Sequence, residues 1–204
     1  MRVERLISRP GVGAFALTPG SADTAVLLSL SPGSYTVNLK GVNGAVGDVL
    51  AEVYDVSKNN TRLTNLSTLA KINNPGDLLI PGIVVSGANP RTLLVRAVGP
   101  GLADFGLTTY LGDPRITVLD GTTTVATNNN WAQGGATGEQ ATLTAVFPAT
   151  GAFPLKATNS DAALVTALTP AAYTLQAGAA PVGPNVTNPP AQTGSVLVEV
   201  YEVP

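Results

Sequence analysis

Short runs rich in Val, Leu and Thr recur along this chain, broken about every 8–12 residues by Gly, Pro, Asn or Asp. That period predicts strands over 12–17, 24–30, 34–40, 47–56, 61–67, 77–86, 91–98, 115–120, 122–127, 151–155, 162–168, 172–177 and 195–203. Asn43-Gly44 and Asp120-Gly121 are the residue pairs that tight hairpin turns select, because both tolerate positive φ. One stretch, 138–145, fits a short helix. The last run, Val196-Leu197-Val198-Glu199-Val200-Tyr201, is apolar on both faces apart from Glu199, which suits a central strand better than a solvated edge. The pattern predicts an all-β fold, an immunoglobulin-like or jelly-roll-type β-sandwich.

The pattern also repeats. Val12-Gly13-Ala14-Phe15-Ala16-Leu17 returns as Thr150-Gly151-Ala152-Phe153-Pro154-Leu155, and at the same spacing Asp23-Thr24-Ala25-Val26-Leu27 returns as Asp161-Ala162-Ala163-Leu164-Val165. Leu30-Ser31-Pro32 matches Leu168-Thr169-Pro170, and Tyr35-Thr36 matches Tyr173-Thr174. After extra residues in the Pro-rich loop 178–194, residues 49–56 match 196–203. Residues 57–204 therefore read as one complete unit, and residues 1–56 as a partial copy that carries only the second half. Arg5-Leu6 against Arg62-Leu63 is a weaker echo of the missing first strand.

Composition narrows the function. With no Cys and no His, disulfides, thiolate or imidazole metal sites and any imidazole base are excluded. Eleven basic against thirteen acidic residues, scattered, give no stripe that would track phosphates, so no nucleic-acid partner is expected. Only 12% of residues are charged while 44% are hydrophobic, the reverse of a disordered chain, and 22 Gly with 16 Pro mark a loop-rich fold. No run of apolar residues is long enough to span a bilayer. The opening residues lack the apolar centre of a signal peptide, so either a signal has been removed or the chain is a piece of a longer product.

Several residues invite chemistry. Trp131, the single Trp, follows Asn128-Asn129-Asn130 and offers either a stacking platform for a sugar or a plug at one end of the sandwich. Asp113, Asp120, Asn128 and Asn130 are oxygen donors of the kind Ca²⁺ takes, although no Asp-x-Asp-x-Asp-Gly spacing is present, and turn capping explains them as well. Arg96, Glu52 and Glu199 read as a structural ion pair or a solvated strand face rather than as acid and base. Gly99-Pro100-Gly101 lacks the strand–loop–helix setting of a phosphate cradle, and no Ser sits in a nucleophile elbow. No cofactor and no catalysis are expected.

Arg62-Leu63-Thr64-Asn65-Leu66-Ser67-Thr68, Val95-Arg96-Ala97-Val98-Gly99-Pro100, Asp113-Pro114, Asn130-Trp131, Gly151-Ala152-Phe153-Pro154-Leu155 and Val198-Glu199-Val200-Tyr201-Glu202 carry a resemblance. Together they resemble a β-rich module found in tandem in large secreted proteins of Verrucomicrobia-type bacteria. The resemblance spans 57–204 and, in its second half, 1–56. It implies a secreted or cell-surface setting and no particular reaction. The three Asn before Trp131 stand where acidic residues are more usual in that module, which weakens any inherited calcium site.

The partial repeat poses a physical problem. Residues 1–56 bring core-type side chains, among them Phe15, Leu17, Val26, Tyr35, Val37, Val49, Leu50 and Val53, without disulfides or metal to hold so small a unit. Their backbone donors and acceptors also need partners. A second copy of the chain could supply them, head to tail, which makes a homopolymer. Inserting one strand of about ten residues gains roughly 8–12 kcal/mol from apolar burial. Ordering its backbone costs about 10–20 kcal/mol, so a broad folded face is needed as well. The expected contact residues are Val3, Leu6, Ile7, Val12, Phe15 and Leu17 at one end and Val198, Val200 and Tyr201 at the other. The reading is an extracellular structural subunit that assembles by strand complementation. Its alternative is a non-catalytic spacer or carbohydrate-binding accessory module, and a cell-surface adhesin stands third.

Overall fold

A computed structural model describes residues 3–5, 13–57, 62–133, 138–184 and 186–204. The chain separates into two compact units, Met1–Leu63 and Thr64–Pro204. The expected contact residues Leu6, Ile7 and Val12 lie outside the described residues.

Thr64–Pro204 is a two-sheet antiparallel β-sandwich. Its strands are β3 (Asn65–Ile72), β4 (Gly82–Val85), β5 (Arg91–Val98), β6 (Pro114–Asp120), β7 (Thr123–Asn128), β8 (Ala162–Leu168), β9 (Ala171–Ala179) and β10 (Gly194–Glu202). One sheet has the order β3-β10-β5-β8 and the other β4-β9-β6-β7. Contacts of β9 with β10, β5 with β6 and β7 with β8 stack the two sheets in parallel order. Leu93, Val95, Ala97, Ile116, Val118, Leu175, Val196 and Val198 fill the space between them.

The first sheet is covered on its outer face too. Leu94 and Val98 of β5, with Tyr201 of β10, join Leu143 and Phe147 of helix α1 (Glu139–Thr150), Trp131, Ala152 and Leu155 in a second core. This double cover accounts for a terminal strand that is apolar on both sides. β10 lies between β3 and β5, so Val198 and Tyr201 are buried and Val200 is half-buried. As outward subunit contacts these three are therefore corrected: their own unit already covers them.

The helix runs further than 138–145 suggested. Pro148 sits in its last turn and removes only one backbone bond there. Gly151, at φ 77°, ends it, with Ala152 N–H bonded to the Phe147 carbonyl. That cap replaces the strand expected over 151–155. The Asp120-Gly121 signal does close a hairpin, since Asp120 faces Thr123 across a two-residue loop with Gly121 at φ 56°. The first strand of the unit begins at Asn65 rather than at 61.

Met1–Leu63 keeps far less ladder. Among its described residues only β1 (Val3–Arg5) and β2 (Val26–Leu28) pair. The runs 34–40 and 47–56, and the described part of 12–17, are not strands. Strand propensity is satisfied only against a neighbour, and these runs have none. Asn43 and Gly44 adopt the positive φ values expected, 53° and 76°, and Ala45 N–H bonds the Val42 carbonyl at 3.1 Å. The turn forms without a ladder on either side.

Candidate assembly surfaces

Local geometry is shared by the two copies of the repeat. Gly13 has φ 82° and its counterpart Gly151 has φ 77°. Tyr35 donates its hydroxyl to the Ser31 carbonyl at 2.8 Å, and Tyr173 donates to the Thr169 carbonyl at 2.9 Å. Tyr54 donates to Glu52 at 3.1 Å, as Tyr201 does to Glu199 at 2.7 Å. Each of these contacts closes within a few residues and needs no distant partner.

Burial is not shared. Leu30 is 48% exposed where Leu168 is 1%, Tyr35 is 56% where Tyr173 is 5%, and Val49 is 71% where Val196 is 0%. Phe15, Val37, Leu39, Leu50 and Val53 are exposed as well, and Leu17 is half-buried. Isolated exposed apolar residues are ordinary; a set this large on one small unit makes it a candidate contact surface.

Thr64–Pro204 has two unequal edges. At the β8/β7 edge, Asn128 Oδ1 accepts from Ala163 N–H, Trp131 N–H bonds the Asp161 carbonyl, and α1 packs on β8. The β3/β4 edge pairs with no further strand among the described residues and exposes Leu66, Leu69, Leu78, Ile80 and Val84.

The residues that invited chemistry are occupied with structure. Arg96 is fully buried; its Nε donates to Glu199 at 2.9 Å, its Nη2 pairs with the same oxygen, and its Nη1 donates to the Phe153 carbonyl at 2.5 Å. The guanidinium also lies 4.2 Å from the centre of the Phe153 ring. Burial, and then the hydrogen bond to Glu199, push the Tyr201 phenol well above its ordinary range. This is a structural ion pair across facing positions of β5 and β10. Its repeat counterpart, Glu52, is exposed.

Asp161 is likewise buried. Its Oδ1 accepts from Gly99 N–H and Gly101 N–H at 2.9 and 3.0 Å, so the donors of the Gly99-Pro100-Gly101 turn are already used. Burial raises its pKa despite those bonds. Asp113, at the start of β6, also has its pKa raised by burial, and one of its carboxylate oxygens is buried without a hydrogen bond.

The calcium candidates do not converge. Asp113 and Asp120 bracket β6, and an extended strand of that length puts them roughly 20 Å apart. Asn128 spends its oxygen on Ala163 N–H. Among the described residues no three His, Cys, Asp or Glu side chains gather as metal ligands.

Trp131 is 5% exposed, tilted against Phe147 at 5.3 Å, and its Nε1–H donates to the Lys156 carbonyl at 3.3 Å. It lines a cavity of about 270 Å³ with Phe147, Pro148, Ala152, Pro154 and Leu155. The cavity's side-chain hydroxyl, on Thr144, donates to the Gln140 carbonyl. A sugar site needs an open ring face with unengaged polar groups beside it. Here the indole plugs the end of the second core, which corrects the platform reading. No described helix is long and apolar enough to cross a membrane.

No family model and no curated protein matches the chain. Among solved structures, it is similar to the pre-peptidase C-terminal domain of a collagenase from Bacillus anthracis, at 9% identity and a TM-score of 0.37, over 67% of this chain and 88% of that one. At that distance nothing passes from that domain to the chemistry of this chain, whose all-β sandwich stands on its own strand pairing.

Proposed function

We propose that this chain is an extracellular structural subunit that assembles with copies of itself, head to tail and into a filament, by β-strand complementation. One observation carries the reading: side chains of Met1–Leu63 stand in solvent at positions whose counterparts form the core of Thr64–Pro204. Covering them removes apolar surface from water, a gain of about 25 cal/mol per Å². The low charge density supports the same reading, because charged groups are depleted from the centres of subunit contacts. The partial repeat makes the contact heterologous, and such contacts continue as rings or fibres.

In this reading the chain is not an enzyme. Its buried charged groups hold the fold, and the apolar cavity beside Trp131 belongs to a core.

Light scattering coupled to size-exclusion chromatography, followed by negative-stain microscopy, tests the proposal. Mass that grows with concentration, with long regular fibres, is the expected result. A clean monomer of 20.6 kDa at high concentration would overturn it and leave a spacer module.

A further inference from the structure

Resting on that reading, we infer that the acceptor is the open edge of β3 and that residues 48–54 of a second copy pair with it, antiparallel, with Leu50 opposite Leu69. The acceptor follows from strand geometry. Glu202 N–H bonds the Thr64 carbonyl at 2.9 Å, and the β3–β10 register continues from there without a shift. Hydrogen-bonded pairs alternate along an antiparallel ladder, so residues 66, 68, 70 and 72 bond β10. Asn65, Ser67, Leu69 and Lys71 then turn their backbone N–H and C=O groups away from the sheet, with no strand among the described residues to receive them. Natural sheets cover or blunt such an edge, as the β8/β7 side does here with α1 and residues 128–131. The β3 side instead offers exposed leucines.

The donor follows from the repeat. Residues 49–56 are the second copy of the sequence that already pairs with β3, namely β10, yet among the described residues they belong to no ladder. Val49, Leu50 and Val53 are exposed there.

The register follows from matching side chains. With Leu50 opposite Leu69, Val53 faces Leu66, and Asp48 faces Lys71, an apolar pair and an opposite-charge pair. Moving the donor by two residues puts Asp48 against Leu69 in one direction and Glu52 against Leu69 in the other. Either shift buries a carboxylate against leucine, and a shift of one residue exchanges the two faces.

The absence of cysteine makes the test clean. Leu50→Cys and Leu69→Cys are made in separate full-length chains, mixed in equal amounts under assembly conditions and oxidised, with Leu50→Cys plus Val125→Cys on exposed β7 as the control mixture. The expected result is a disulfide-linked dimer between the first two chains, formed at least about tenfold faster than in the control. Leu69→Glu in an otherwise natural chain should raise the concentration for half-assembly at least about tenfold. If fibres form while both mixtures cross-link equally and Leu69→Glu assembles normally, the acceptor edge is wrong and strand complementation elsewhere survives. If a chain carrying both cysteines closes only on itself, the donor folds back within its own molecule and the inference is overturned. If the natural chain never assembles, the polymer reading itself has failed.

Discussion

Tyr35 and Tyr173 make the same hydroxyl-to-carbonyl bond four residues back, yet one ring stands in solvent and the other fills a core. Met1–Leu63 and Thr64–Pro204 differ throughout in this way. Turns, glycine conformations and short-range bonds need only a few neighbouring residues, so a partial repeat retains them. Ladders and burial need partner strands, and among the described residues the runs 34–40 and 47–56 have none. Glu52 shows the consequence for charge: it keeps its tyrosine, but among the described residues no strand brings an arginine across from it.

That contrast predicts the largest difference at the matched glutamates. Glu199→Ala strands Arg96 in the interior and should cost Thr64–Pro204 about 3–5 kcal/mol. Glu52→Ala should change the unfolding of the same unit by less than about 0.5 kcal/mol. Urea titration followed by fluorescence reads this directly, since the single tryptophan lies in Thr64–Pro204. Equal effects at both positions would erase the distinction between the units.

A similar asymmetry applies to leucines. Leu94→Ala, in a fully buried site, should lower stability by about 2–5 kcal/mol without altering the surfaces that assemble. Leu50→Ala should leave the fluorescence-detected midpoint where it was and weaken assembly, measured by light scattering. Hydrogen exchange sharpens the point. Amides of 34–40 and 47–56 should exchange freely in dilute solution and slow by at least about tenfold in fibres, whereas those of β5 and β10 should be protected in both.

The smallest expected effect concerns pH. Burial raises the pKa of Asp113, so folded protein holds that proton more tightly than the unfolded chain does. Its contribution is full below the ordinary carboxylate value and is lost as pH rises through the raised one, giving a stability that declines from about pH 4 upward. Asp113→Asn should flatten that slope in urea midpoints taken across the range; an unchanged slope would mean that the carboxyl is solvated.

Much was legible without coordinates. Period-two runs and turn residues marked all the strands of Thr64–Pro204, with β3 displaced toward its C-terminal side. A run apolar on both faces marked β10 as a central strand, and it lies between β3 and β5. Arg96 and Glu199 read as an ion pair or a solvated strand face, and the facing positions of β5 and β10 make them the pair. The repeat was readable too, and matched residues such as Gly13 and Gly151 have the same backbone conformation.

Other features were decided by tertiary structure alone. Trp131 sits in a polar stretch, and only packing against Phe147 makes it a plug. Asp113 and Asp120 are close in sequence, but an extended strand holds them apart. Residues 47–56 and 195–203 are nearly the same string; one is a central strand and the other belongs to no ladder. Sequence determines which residues suit a strand, because that is a property of each side chain and its neighbours in the chain. Whether a strand forms depends on a second strand beside it, and that partner is a fact of assembly in space.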